Sequence, residues 1–322
     1  LAAAACGSDD KATPTRTVSD NPTPIQGVAT AAAFPVTVKR SDGKELKVDK
    51  PVTKIVSLSP GATEILYALG AEKTLAAVDK NADYPAAAQS FEPKVDAYEP
   101  NVEAIAGLSP DLVIVASDTN GIVAALDRLN VPVLYIDLDK DVKTVDDVYG
   151  QIGLIGRLTG TEDKAIQIIT DLTARQKAVE EKLVGLPNTS GPTVYHELDS
   201  TFYSISDNTF IGSLYRTLKA RNIAKDGGGI AYPQLTQESI ISADPEIIVL
   251  ADEEFGVSIA SVRSRPGWAA MKAVQENRIY AIDPDIISRP GPRIIDALEA
   301  LARNFYPQAF GPSPTQPAGS TH

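Results

Sequence analysis

One motif occurs twice in this chain, and the repetition constrains the fold more than any other feature of the sequence. Glu103 opens EAIAGLSPDLVIV and Glu238 opens ESIISADPEIIVL. In each, an isoleucine follows two residues later and a proline seven later, then an acidic residue and an apolar run. Two further pairs occur in the same order: ILYALGAEKTLAAV from Ile65 with SLYRTLKARNIAKD from Ser213, and VLYID ending at Asp137 with IYAID ending at Asp283. Each unit reads as a short helix, a proline turn and a strand of Val, Ile and Leu. Continuous apolar strands alternating with helices predict parallel sheets covered on both faces. The chain is therefore expected to be α/β, with two similar Rossmann-like lobes.

The segment between the copies differs. Val145, Val148, Ile152, Ile155 and Leu158 recur at helical spacing, as do Ile168, Ile169, Leu172, Val179 and Leu183. TGTED at 159–163 offers a capping threonine and an acidic first turn. A helix over 162–184 would be roughly 35 Å long at 1.5 Å per residue, a rigid strut rather than a loose hinge. The expected organisation is a leading segment 1–35, a first lobe 36–140, a helical strut 141–186, a second lobe 187–310 and a disordered tail 311–322.

Two such lobes on one helical spine leave a cleft, and open α/β sheets bind ligands beyond the carboxyl ends of their strands. The loops expected there are rich in Tyr, Asp, Ser and Gly, which suits a large amphipathic ligand. DPDIISRPGPRIIDALEALA from Asp283 is one of them. Its second half is helical, with Ile294, Ile295, Leu298 and Leu301 on one face. Its prolines stiffen the backbone just where Arg289 and Arg293 stand. Arg289 precedes the helix and is expected to meet the ligand. Arg293 falls in the first helical turn, where a cation needs an anionic partner, and Asp296 is the nearest candidate.

Charge and composition exclude several functions. The net charge of −12 and the lack of a Lys/Arg block argue against a nucleic-acid partner. No apolar run is long enough to span a bilayer. Enzyme signatures are also missing: there is no G-x-S-x-G elbow and no Walker A loop. The run Gly227–Gly229 lacks dinucleotide-loop spacing. Cys6 is the single cysteine and excludes a disulfide. It follows Ala2–Ala5 and precedes a polar, Pro/Thr-rich stretch expected to act as a flexible tether. This resembles a bacterial lipobox, although Ala3 stands where that pattern favours Leu; lipidation of Cys6 is the expectation.

The motifs KIVSLSPGATEILYALG, DYPAAAQ, VEAIAGLSPDLVIV and YPQLTQESIISADPEIIVL together resemble the class III substrate-binding proteins of ABC importers over residues 38–306, most closely the cobalamin binders. The resemblance implies two lobes on one long helix with little closure. It implies an extracytoplasmic, lipid-anchored monomer that delivers a corrinoid to permease subunits, with a ferric siderophore or haem as the alternative cargo. An enzyme on the same scaffold is the remote alternative, and no intrinsic cofactor is expected. It further implies that Pro60, Tyr84, Tyr98, Tyr232, Asp285 and Arg289 line the ligand, Tyr98 and Tyr232 standing where the cobalamin binder has tryptophan. The three tyrosines also read as ordinary loop packing. Glu103 and Glu238 match the two glutamates that dock onto the permease. On residue chemistry alone, both also read as carboxylates favoured at helix N-termini. His196, the only histidine before the C-terminal tail, is a candidate axial ligand for a metal, though such a residue at a strand end is more often structural. Trp268 reads as core.

Overall fold

A computed structural model describes residues 34–186 and 191–311. Cys6, the tether and most of the tail lie outside the described residues. The described chain opens with an antiparallel hairpin of β1 (Val36–Lys39) and β2 (Glu45–Val48).

Five strands follow: β3 (Ile55–Leu58), β4 (Leu75–Asp79), β5 (Lys94–Val95), β6 (Leu112–Val115) and β7 (Val133–Tyr135). They form one parallel sheet in the order β5-β4-β3-β6-β7. The second lobe holds β8 (Thr193–Glu197), β9 (Arg221–Asn222), β10 (Ile247–Leu250) and β11 (Ile279–Ala281). These are also parallel, in the order β11-β10-β8-β9. The sequence copies fall on matching positions: β6 and β10 beside the first strand of each lobe's sheet, β7 and β11 outside them, β4 and β9 on the other side.

The repeat extends below the level of strands. The helices Val102–Gly107 and Gln237–Ala243 are capped by Asn101 and Thr236, whose side-chain oxygens accept from Ala104 N–H at 2.9 Å and Ser239 N–H at 3.1 Å. Each helix is followed by a non-glycine residue at positive φ, Ser109 at 50° and Asp244 at 44°, directly before the proline. The acidic residue after that proline then anchors the neighbouring strand. Asp111 accepts from the backbone and hydroxyl of Thr53, at 2.9 and 2.7 Å, and Glu246 does the same for Thr193, at 2.7 and 3.2 Å.

The strut is the helix Glu162–Val184, with the bounds its periodicity predicts. Its start is not capped as expected: Thr161 makes no capping bond. Its hydroxyl pairs instead with that of Thr159, at 2.8 Å, and Gly160 at φ 72° ends the preceding helix Val145–Thr159. Arg175 ties the strut to the last long helix, Ile294–Phe305, through Asp296 at 2.6 Å and Glu299 at 2.9 Å. Asp296 is thus occupied by the strut and is not the partner of Arg293.

One apolar core runs beneath both sheets. It joins Ile65 and Leu66 of the first lobe, Val148, Ile152 and Ile155, the strut residues Leu172 and Val179, and Leu214, Leu298 and Leu301 of the second lobe. Each sheet has a second core on its far face, around Val113 and Leu126 in the first lobe and around Ile248 and the fully buried Trp268 in the second.

Candidate functional site

A cavity of about 950 Å³ opens between the carboxyl ends of the two sheets, lined from both lobes. The first lobe contributes Pro60, Asp83, Tyr98 and the 137–139 turn; the second contributes Tyr232, Phe255, Asp285 and Arg289.

Local structure sets each position. Pro60 is the first residue of the helix Pro60–Ala68, whose N-cap Ser59 accepts from Ala62 N–H at 3.2 Å. Tyr98 rides on a tight turn, with its N–H donating to Asp96 and its carbonyl accepting from Asn120, both at 2.9 Å. The ring is left 64% exposed at the rim, and Phe255 of the second lobe is 78% exposed. Large apolar rings this bare inside a cleft leave contact area for a ligand. Tyr232 reaches across the cleft and donates its hydroxyl to Asp139 at 3.1 Å. Burial, and then the Asp139 charge, push its phenol up to about 12.

Arg289 is held from both lobes. Its guanidinium spans both oxygens of Asp83 in the first lobe and bonds Asp285 at 2.7 Å in the second. Burial raises the Asp83 carboxyl, but Arg289 outweighs it and holds the group below its usual value. Asp285 is pushed up to about 6 by burial, with Arg289 opposing and Asp83 adding to the rise.

Two expectations change, for Tyr84 and for the partner of Arg293, while His196 takes its structural reading. Tyr84 does not line the cavity. Its ring lies 3.9 Å from the Arg293 guanidinium carbon, a stacked cation–π contact. Arg293 finds its anion in the first lobe, bonding Glu64 at 2.6 and 2.9 Å. His196 is fully buried in β8 and absent from the cavity wall, with Nδ1 against the Tyr215 hydroxyl at 2.6 Å. Burial drives its pKa down to about 3, so the ring is neutral. Glu103 and Glu238 are exposed, each the second residue of its capped helix.

Sequence reasoning missed Asp83 and the ring of Phe255. Both sit in loops expected at the cleft, but nothing in the local pattern distinguishes them from their neighbours. Among the described residues no group of three or more His, Cys, Asp or Glu side chains is arranged to hold a metal ion. None of their helices is long and apolar enough to cross a membrane.

Comparison with known proteins agrees with this architecture. The chain is 33% identical, over 86% of its length and 87% of the relative's, to YvrC of Bacillus subtilis, an uncharacterized ABC transporter substrate-binding lipoprotein. It is 29% identical to a cobalamin-binding protein of Halobacterium salinarum over 86% of this chain and 75% of that one. The structure of the periplasmic haem-binding protein RhuT from Roseiflexus superposes with a TM-score of 0.69 at 25% identity, covering 80% of this chain and 98% of that one. The periplasmic binding protein family model matches residues 55–286. With two parallel-sheet lobes, a cleft at their carboxyl ends and these relatives, the chain belongs to the periplasmic binding protein family, as a substrate-binding component of an ABC importer.

Proposed function

We propose that this protein captures a corrinoid outside the cytoplasmic membrane and delivers it to the importer's permease, without chemical turnover of the cargo. The observation that carries the reading is the cavity wall: exposed aromatic rings at the mouth, hydrogen-bonding groups deeper in, and no histidine, methionine or cysteine among the lining residues. A corrinoid brings its own axial ligands to its metal, so the wall needs only to pack and hydrogen-bond. Haem needs an axial side chain from the protein. Tyr232 is a poor one, since burial and then Asp139 hold its phenol protonated. Tyr98 is free to serve, and with the haem-binding structural relative it keeps haem as the second reading.

In this reading Pro60, Tyr98, Tyr232, Asp285 and Arg289 contact the ligand, and Glu103 and Glu238 meet the permease. The equivalence of the two glutamates within the repeat supports a paired docking role. Lipidation of Cys6 would tether a monomeric carrier to the membrane.

The test is absorption spectroscopy with equilibrium dialysis of the purified protein against cyanocobalamin, haemin and a ferric siderophore. Stoichiometric retention of cyanocobalamin alone is expected. A shifted haem Soret band without cobalamin retention would overturn the corrinoid reading in favour of haem.

A further inference from the structure

The wall around Arg289 carries an inference about which chemical groups the cavity accepts. An arginine in a binding cleft is the usual receptor for a ligand carboxylate or phosphate. Here the guanidinium is already matched twice. Asp83 takes both its terminal nitrogens, and Asp285 takes one of them as well. The side chain of Arg289 is only 13% exposed, whereas those of Asp83 and Asp285 are 43% and 32% exposed. The ligand therefore meets carboxylate oxygen before it meets guanidinium nitrogen. Two carboxylates around one cation leave the triad with a net negative charge when both are ionised. Asp283, the N-cap of the same short helix, adds to the negative field at Asp285. The neighbouring cation, Arg293, is committed to Glu64.

We propose that Asp83 is a specificity-determining residue: joined to Arg289 across the cleft, it makes this end of the cavity an acceptor of hydrogen bonds from uncharged donors such as primary amides, and it disfavours carboxylates. The inference rests on the reading of this cavity as the ligand site. It deepens that reading by naming the ligand periphery that fits, one bearing amides rather than acids. A corrin ring edged with primary amides satisfies it, and the paired propionates of haem do not. The underlying physics is that a carboxylate placed against an anionic wall in a partly desolvated cleft meets like-charge repulsion, while an amide N–H gains a charge-assisted bond.

The experiment compares cyanocobalamin with the set of its monocarboxylates, each with one peripheral amide hydrolysed, on wild type and on Asp83→Asn. Wild type is expected to bind the parent about tenfold or more tightly than at least one monocarboxylate. Asp83→Asn, which keeps the shape and removes the charge, is expected to erase most of that gap. An unchanged gap for every isomer in Asp83→Asn overturns the proposal. If wild type retains no corrinoid, the corrinoid reading fails by itself, and the same comparison is made with haemin and its dimethyl ester, the ester being expected to bind better. Carboxyl NMR of the ligand-free protein gives an arm independent of any ligand. Asp285, raised first by burial, is expected to titrate near pH 6 in wild type and lower in Asp83→Asn, which loses the neighbouring charge that adds to the rise. An Asp285 that does not move in the variant shows that Asp83 and Asp285 are not coupled through the triad and overturns the proposal whatever the cavity binds.

Discussion

Glu64 of the first lobe and Arg293 of the second meet through two parallel N–H···O bonds of 2.6 and 2.9 Å, with the Glu64 side chain only 3% exposed. The Tyr84 ring covers a face of the guanidinium. Beside the pair the two backbones touch: a Cβ on Gly61 would stand 2.7 Å from the Pro290 carbonyl oxygen. The glycine and the ion pair together let Pro60 and Arg289 come to one cavity from opposite lobes.

Arg293→Ala strips a buried carboxylate of its partner. The expected cost is about 3–5 kcal/mol of unfolding free energy, the range for breaking one side of a buried pair. Urea denaturation measures it. A loss below about 1 kcal/mol would mean that the pair behaves as an exposed one.

Asp252 is fully buried at the end of β10, close to Glu197, which is itself bound at 2.6 Å by both terminal nitrogens of Arg265. Neither Asp252 oxygen has a protein partner. Burial, then the Glu197 charge, raise its pKa from 3.8 to about 7. A carboxyl that holds its proton more tightly when folded contributes stability in full below pH 3.8 and loses it as pH rises towards 7. Asp252→Asn cannot titrate. Its melting temperature is expected to match wild type near pH 4 and to exceed it by a few degrees at pH 8. Equal differences at both pH values would refute the assignment.

His196 acts in the opposite direction. Its folded pKa of about 3 lies below the ordinary 6.5, so the unfolded chain takes up a proton that the folded one refuses. Stability is expected to fall by up to about 1.4 kcal/mol per pH unit as pH drops below 6.5 towards 3. In His196→Gln that slope should be shallower by this amount, and the spectrum of any bound macrocycle should be unchanged. A spectral shift would return the histidine to the metal.

The repeat made the two parallel-sheet lobes and the pairing of Glu103 with Glu238 legible, and helical spacing made the strut legible, because each depends on patterns a few residues long. Pro60, Tyr98, Tyr232, Asp285 and Arg289 all line one cavity, in loops that the sequence assigns to the cleft. What escaped were the partners. Arg289 and Asp83 are 206 residues apart, Arg293 and Glu64 229, and no local spacing encodes such pairs. Asp296 looked like the partner of Arg293 because it is near in sequence, yet the strut claims it through Arg175. His196 at a strand end reads as structural in the sequence, but the partner that holds it, the Tyr215 hydroxyl on a helix, is not legible there.

If Glu103 and Glu238 dock on the permease, reversing both to arginine is expected to abolish uptake in cells while leaving ligand affinity within about twofold, since rim charges act on association with the partner. Normal uptake by the double variant would sink this assignment.

The single core beneath both sheets opposes rotation of one lobe against the other, since packed interiors do not deform smoothly. Small-angle scattering with and without cyanocobalamin is expected to give the same radius of gyration within error. A clear contraction would show that the core permits closure.

That shared core also bears on how a transporter distinguishes useful visitors from idle ones. If the lobes keep one spacing, the distance from Glu103 to Glu238 is the same in a laden molecule and a vacant one, and a receptor that felt only those two points would be blind to cargo. Empty molecules would then occupy it as readily as full ones, and import would slow whenever they were in excess. On the proposed reading, the news that a ligand is aboard would then be carried by the mouth of the cleft, where the rings of Tyr98 and Phe255 stand exposed.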